Sequence, residues 1–246
     1  MKYGLFSDVH GNLEAFQAVL DSMQDESIDR FVFLGDIVGY GADPCACLEL
    51  LENLTDVKGG QCLAGNHDYA VCNKTSLENF SSIARQSIEW TRSRLNQENM
   101  LFLSSLPLAV RGDGFSAAHA NFLAPDAWGY ILDVDDAFSN FCILKDSLGF
   151  IAHSHRPLVF SYHADQGVDW QLIEHCPLRS GYQYIINIGS VGQPRDGDPR
   201  ACYVVYDDEK KVIDIKRVDY NIKVAQTKIL TAGLPLLCAQ RLQEGK

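Results

Sequence analysis

The first 70 residues alternate between short apolar segments and segments with helical spacing, and this alternation constrains the fold more than any other feature. Apolar strands are predicted at Tyr3–Phe6, Phe31–Leu34 and Gln61–Ala64. Between them, Leu13–Met23 carries apolar residues at helical spacing, and Pro44–Leu54 begins with proline, which is favoured at the first helical position. Helical crossovers between short apolar strands indicate a parallel sheet covered by helices, and such sheets bind ligands beyond the carboxyl ends of their strands.

The remainder of the chain is richer in strands. Residues Ser76–Ser105 have helical spacing and are predicted to form two helices. Leu108–Arg111 and Phe115–His119 flank a Gly-Asp-Gly turn, so they are predicted to pair as a hairpin. Further strands follow, including one over Trp170–Glu174. Because these strands come after the βαβαβ segment, we expect a second sheet packed against the first.

The length and composition of the chain fit one domain. Its 246 residues suffice for one large core, and 46% apolar with 22% charged residues is ordinary for a globular protein. The segment of about residues 221–244 is predicted to be helical, with Gly233 and Pro235 dividing it into two helices. Since no repeat or linker interrupts the sequence, we expect a single domain over residues 1–246.

The net charge and the cysteines bear on partners and location. A formal charge of −11 disfavours nucleic acid and anionic membranes, which carry the same sign of charge. None of the eight cysteines forms a C-x-x-C pair, and we expect them to be buried, reduced thiols. The N-terminal apolar run is too short for a signal peptide, and no stretch approaches the roughly 20 apolar residues of a membrane span. We therefore expect a cytoplasmic protein.

Side chains able to bind metal ions follow the three early strands and two later ones. In chain order they are Asp8, His10, Asp36, Asn66, His67, His119, His153 and His155. Taken singly, each has an ordinary alternative, such as a helix cap, a turn residue or a surface histidine. Together, imidazole and carboxylate ligands suit Mn, Fe, Zn, Co or Ni rather than Ca or Mg. The pattern thus predicts a transition-metal site at one edge of the sheet.

This ordered set resembles the calcineurin-like metallophosphoesterase family. The matching blocks are Asp8-Val9-His10, Gly35-Asp36, Gly65-Asn66-His67-Asp68, His119 and His153-Ser154-His155. The segment Asn187–Arg195 also resembles a segment of the small bacterial and archaeal members. The resemblance implies an α/β fold in the form of a four-layer αββα sandwich.

The resemblance also implies a role for each residue of the site. Two sets of three would each hold one divalent or trivalent metal ion: Asp8, His10 and His155, and then Asn66, His119 and His153. Asp36 would bridge both ions, and a bridging hydroxide would attack phosphorus. His67 would bind no metal and would face the phosphoryl oxygen or the leaving group. Arg195, in a Gly/Pro-rich loop, is a candidate for binding the substrate phosphate, and a solvated surface arginine is an equally good interpretation.

Departures from the family pattern narrow the function. Gly39 and Tyr40 stand where the Ser/Thr protein phosphatases of this superfamily carry Asp and Arg, which argues against a protein phosphatase. The partner of His67 is then open, with Asp68 a candidate. We expect hydrolysis of a small phosphate mono- or diester, a nucleotide included. The alternatives are a dinucleoside polyphosphate hydrolase and a non-catalytic scaffold that retains the fold, while the acidic charge disfavours a nuclease. The oligomeric state is left open.

Overall fold

Twelve strands and eight α-helices occur in the part of the chain that the structure, a computed structural model, describes: residues 1–58, 60–172 and 174–246. The strands are β1 (Lys2–Phe6), β2 (Arg30–Phe33), β3 (Gln61–Cys62), β4 (Ala109–Arg111), β5 (Ser116–Ala118), β6 (Leu148–Ile151), β7 (Leu158–His163), β8 (Gly167–Gln171), β9 (His175–Pro177), β10 (Gln183–Asn187), β11 (Ala201–Asp207) and β12 (Val212–Val218). The helices are α1 (Leu13–Asp25), α2 (Pro44–Lys58), α3 (Asn66–Val71), α4 (Ser82–Arg92), α5 (Gln97–Ser105), α6 (Val134–Phe141), α7 (Ile222–Thr231) and α8 (Leu236–Glu244).

The strands form two six-stranded sheets. The first has the order β3-β2-β1-β11-β12-β9, and the second has the order β4-β5-β6-β10-β7-β8. The first three strands pair in parallel, as their helical crossovers predict. The expected second sheet is present, but it does not take all the later strands. β11 returns to the first sheet and pairs antiparallel with β1, where its seven buried residues are covered on both faces.

The alternation of side chains along β1 and β2 explains the layers. Tyr3 and Leu5 of β1 pack between the sheets, and Tyr3 meets the ring of Phe115 from the second sheet at 5.2 Å. Phe6 and Phe33 point to the other face and pack with the apolar sides of α1 and α2. On the far side, α6 covers the outer face of the second sheet. The result is the predicted four-layer αββα sandwich.

Most predicted elements are present, with shifted ends. The two helices expected over Ser76–Ser105 are α4 and α5, and the expected hairpin is β4 with β5. β8 begins and ends earlier than the predicted strand Trp170–Glu174, whose residue Ile173 lies outside the described residues. Helices α3 and α6 were not predicted, because their six and eight residues are too short for a clear period. The short α3 matters for the site, since it begins directly at Asn66.

The C-terminal residues form the two helices that Gly233 and Pro235 separate. Helices α7 and α8 pack on each other and on α4, with Tyr40 buried in the same cluster. All eight cysteines are described and unpaired, although Cys45 and Cys142 are exposed rather than buried. Among the described helices, none has the length and apolar character needed to cross a bilayer.

Candidate metal centre

Five strand ends converge and bring all of the predicted ligands together. Asp8 and His10 follow β1, Asp36 follows β2, and Asn66 opens α3 after β3. From the second sheet, the residues after β5 and β6 reach the same place. Every predicted ligand is at least nine-tenths buried: Asp8, His10, Asp36, Asn66, His119, His153 and His155. The sheet edge therefore carries a buried cluster of carboxylate, amide and imidazole groups.

The backbone turns sharply at most of these positions. Five of the residues have a left-handed backbone with φ between +50° and +63°: Asp8, His10, Asp36, His153 and His155. Residues with a side chain disfavour this conformation. Backbone hydrogen bonds between the strand ends hold it, since the amide of Asp8 donates to Gly35 (2.9 Å) and that of His10 donates to Asp36 (3.0 Å). Gly65 allows this approach because a Cβ there would collide with the Asp36 carboxylate.

Asp8, His10 and His155 form one group of potential ligands. The Nδ1 of His10 donates to the carbonyl of Val38 (3.0 Å), and the Nδ1 of His155 donates to that of Gln193 (2.6 Å). Because carbonyls only accept, both Nε2 atoms carry lone pairs, and these atoms lie 3.2 Å apart. Asp8 Oδ1 is 3.2 Å from His155 Nε2 and 3.8 Å from His10 Nε2. Such separations suit two ligands on one cation with bonds of about 2.1 Å.

Asp36, His119 and His153 form a second group, with ligand atoms within 4.8 Å of one another. The Nδ1 of His119 donates to the carbonyl of Leu34 (2.7 Å), so in the neutral ring its Nε2 presents a lone pair. Asp36 Oδ2 lies 3.5 Å from this nitrogen and 3.7 Å from His10 Nε2 of the first group. Asp36 thus lies between the two groups, and it is nearer to His119 Nε2 than Asp8 Oδ1 is (4.0 Å).

Several buried atoms of the centre have no hydrogen-bond partner among the described residues. They are both carboxylate oxygens of Asp8, the Oδ1 of Asn66 and the Nε2 of His119. Buried polar atoms are nearly always paired, and unpaired ones are expensive. Once His119 has lost its Nε2 proton, all of these atoms are electron-pair donors, so the residues fit metal cations. Two groups that share Asp36 fit two cations.

The charges of the metal-free centre follow from its burial. Burial opposes ionisation of Asp8, but the imidazoles of His155 and His119 outweigh it and lower the pKa to about 2. Burial lowers the pKa of His153 to about 3, which keeps that ring neutral. His119 differs, because Asp36 overcomes the effect of burial and raises its pKa to about 9. At neutral pH the centre therefore holds one imidazolium, whose proton a metal ion would displace.

The suggested partnership between Asp68 and His67 is wrong. The Asp68 carboxylate accepts from four backbone amides instead: Asp36 (2.7 Å), Gly65 (3.0 Å), Ile37 (3.1 Å) and Val38 (3.3 Å). This aspartate binds the loops after β2 and β3 together, and a carboxylate satisfies more amides than any other side chain. Val38 in turn orients His10, so Asp68 supports the first group of ligands through the backbone.

His67 lies beside the centre with an unusual set of neighbours. Its Nδ1 is buried without a hydrogen-bond partner in the described structure, and it faces Gly39, where a Cβ would collide with it. The ring of Tyr40 packs against His67 at 4.6 Å and against His10 at 4.8 Å. One ligand atom of His67 also lies within 4.8 Å of His10 and Asp36. The sequence analysis did not predict this packing role of Tyr40. The only signal for it is the Gly-Tyr-Gly segment that follows Asp36.

A cavity of about 620 Å³ opens beside the centre. Arg195 lines it, with Nη2 donating to Gln193 Oε1 (2.8 Å) and the guanidinium 5.7 Å from the ring of Tyr40. Trp128 and Tyr130 also line it. Tyr130 stacks on His153 with ring centroids 4.2 Å apart, so part of its surface packs and part faces the cavity. The volume suits a ligand of small-metabolite size.

Comparisons with known proteins agree with this geometry. Residues 1–187 match the sequence profile described as calcineurin-like phosphoesterase. The uncharacterized protein MJ0912 of Methanocaldococcus jannaschii is 40% identical over 251 residues, covering 98% of this chain and 97% of that protein. The crystal structure of a metallophosphoesterase from Sphaerobacter thermophilus is 35% identical, with a TM-score of 0.86 and coverage of 100% and 99%. The hypothetical protein PH1004 of Pyrococcus horikoshii OT3 shares the fold at 18% identity, with a TM-score of 0.83 and coverage of 100% and 98%. Together with the buried ligand cluster, these matches establish that the chain belongs to the calcineurin-like phosphoesterase family.

Proposed function

We propose that this protein is a hydrolase of small phosphate esters that works with two transition-metal ions. The observation that carries the proposal is the convergence of unpartnered electron-pair donors in one buried centre beside an open cavity. Metal cations satisfy such a set of donors directly. Two divalent ions bring a charge of +4, and Asp8 with Asp36 offsets only −2. The centre then stays positive and attracts phosphate, although the whole chain is acidic.

The distances support a division of the ligands into two sets. Asp8, His10 and His155 would hold one ion, since their ligand atoms lie within 4.8 Å of one another. His119 and His153 would hold the other, joined by Asn66, whose Oδ1 is buried and free to bind. Asp36 would serve both ions because its Oδ2 is similarly close to His10 and His119. Mn, Fe, Zn, Co and Ni all suit these oxygen and nitrogen donors.

The protein's own residues would position the substrate around this centre. When bound, the two metal ions supply Lewis acidity, which activates water and offsets the charge of a phosphoryl group. His67 lines the cavity as a buried imidazole whose pKa burial lowers to about 4, so it would donate a hydrogen bond to the leaving-group oxygen as a neutral ring. Arg195 would bind the non-bridging oxygens, because its guanidinium lines the same cavity and has an amide rather than a carboxylate as its partner.

A substrate and metal screen tests the proposal. The substrates are p-nitrophenyl phosphate, its bis ester, cyclic nucleotides and diadenosine tetraphosphate, each assayed with Mn, Fe, Co, Ni or Zn. We expect turnover of at least one ester, and the Asp36→Asn variant is the matched control because it removes a single charge from the centre. The screen also separates a monoesterase, a diesterase and a dinucleoside polyphosphate hydrolase. An absence of turnover with every metal would contradict the proposal.

A metal measurement separates the hydrolase from a non-catalytic scaffold. Elemental analysis of gently purified protein should find close to two transition-metal ions per chain. The buried, unpaired donors of Asp8 and Asn66 favour this outcome, because a scaffold has no reason to retain them. Well under one metal ion per chain, with no uptake from added Mn, would favour the scaffold.

A further inference from the structure

A second guanidinium lines the cavity, contributed by the C-terminal helix pair. Arg241 lies on α8, far along the chain from the candidate ligands and beyond residues 1–187, which match the family profile. Its helix is firmly placed, because Cys238 and Leu242 are buried in the cluster that contains Tyr40. The end of α8 is also tied to the loop around Arg195, since the amide of Gly197 donates to Gly245 (3.0 Å).

Arg241 differs from most other arginines in lacking a partner. Arg111, Arg200 and Arg217 form ion pairs with aspartates. Arg92 donates to backbone carbonyls, and Arg195 donates to Gln193. Within the described residues, the side chain of Arg241 has no hydrogen bond and no ion pair. An unpaired guanidinium at a cavity wall is notable in a chain with 32 acidic and 21 basic residues.

The surroundings of Arg241 favour an anion. The neighbouring cavity wall is made of neutral polar groups and rings, including Ser76, Asn79, Ser81 and Phe80. Asp36 and Asp126 are the acidic residues that line the cavity, and Asp36 belongs to the candidate centre. Asp126 lies with Trp128 and Tyr130 in the loop after β5, and it forms no ion pair with Arg241. The guanidinium therefore keeps its full charge available to a ligand in the cavity.

Arg195 and Arg241 reach the cavity from different elements of the fold. The amide of Arg195 donates to the carbonyl of His155 (3.1 Å), which fixes this arginine next to the centre and suits it to the phosphate under attack. Arg241 has no such link and comes from α8. The cavity, at about 620 Å³, has room for a whole small metabolite between the centre and α8.

We infer that Arg241 binds a second anionic group of the substrate, a phosphate or a carboxylate, in addition to the phosphate at the metal centre. The preferred substrates are then small molecules with two separated anionic groups. This inference rests on the proposed function, because it places the first phosphate at the centre. Arg241 acts as a specificity-determining residue, and guanidinium is well suited to this because it forms paired hydrogen bonds with carboxylate or phosphate.

Calorimetry on the manganese-loaded protein tests the inference without turnover. The probes are methylphosphonate, alkylene bisphosphonates with spacers of two, three and four carbons, and phosphonocarboxylates of the same lengths. We expect at least one two-headed probe to bind the wild-type protein more tightly than methylphosphonate does. Arg241→Ala should weaken that probe by about 10- to 100-fold, the range for loss of a charged hydrogen bond, and should change methylphosphonate by less than about twofold. Comparison of the two probe series shows which anionic group is preferred.

Two control variants make the result specific. Arg241→Lys keeps the charge and should recover part of the lost affinity. Arg30→Ala removes the same charge from an exposed residue of β2 that does not line this cavity, and it should change neither affinity. If Arg241→Ala weakens the binding of methylphosphonate and of the two-headed probes equally, or weakens neither, the inference about Arg241 is overturned. The proposed function is unaffected by that result. If the wild-type protein fails to bind methylphosphonate and hydrolyses no ester, the proposed function fails and this inference fails with it.

Discussion

The Asp68 carboxylate holds the backbone around the candidate centre in place. A single substitution of this residue tests that role directly. Each of its oxygens accepts from two backbone amides: Oδ2 from Asp36 and Gly65, and Oδ1 from Ile37 and Val38. In Asp68→Asn one oxygen becomes an amino group, which can only donate. Two of the four amides then face another donor in a fully buried site, because Asp68 has no exposed surface.

The expected loss follows from this count of hydrogen bonds. A buried donor left without a partner costs about 1–3 kcal/mol, so two such amides cost about 2–6 kcal/mol of the free energy of unfolding. The variant should also bind metal more weakly, since the amide and carbonyl of Val38 link Asp68 to His10. Loss of such outer support typically costs 10- to 100-fold in metal affinity.

Urea unfolding of the metal-free protein measures the first effect, and calorimetric titration with Mn measures the second. Asp126→Asn is the matched control, an exposed aspartate in the loop beside the cavity, and it should change stability by less than 0.5 kcal/mol, about the scale of surface substitutions. An Asp68→Asn protein within that same margin of the wild type would refute the reasoning.

Three further outcomes concern the ligands and His67. The affinity of the metal-free protein for Mn should rise about tenfold per pH unit from pH 6 to 8, because His119 has a pKa raised to about 9 and must release its proton; a flat titration would contradict this. Asp36→Asn should remove more metal and more activity than loss of any other single ligand, measured by elemental analysis and turnover, since Asp36 lies between both groups. His67→Ala should keep its metal content and lose about 100-fold or more in turnover, and a variant that instead loses its metal would make His67 a ligand.

The positions of the candidate ligands could be predicted from the sequence, because the carboxyl ends of parallel strands meet at one sheet edge. Asp8, His10 and Asp36 each follow a strand, and an apolar run identifies that strand in the sequence. The local sequence is therefore enough to place these three residues together. The return of β11 to the first sheet could not be predicted in the same way. Its residues are buried on both faces and fit either sheet, so pairing over nearly 200 residues of chain decides the outcome.

Contacts between distant segments explain what the sequence did not reveal at the site. Asp68 stands next to His67 in the chain, and this proximity suggested a partnership that the helical turn at Asn66 prevents. The turn directs the carboxylate to the backbone after β2, where four amides hold it. Arg241 lies in an ordinary amphipathic helix, and only the packing of α8 near Tyr40 brings it to the cavity. No local pattern marks either placement.

The left-handed backbones of the five candidate ligands set a cost that the rest of the fold must offset. Each such residue costs about 1–2 kcal/mol, so five cost about 5–10 kcal/mol, which is comparable to the whole stability of an ordinary domain. Glycine adopts the same backbone without this steric penalty, but it has no side chain that could bind a cation. The buried core and the backbone hydrogen bonds between the strand ends therefore hold a strain that is concentrated at the candidate centre.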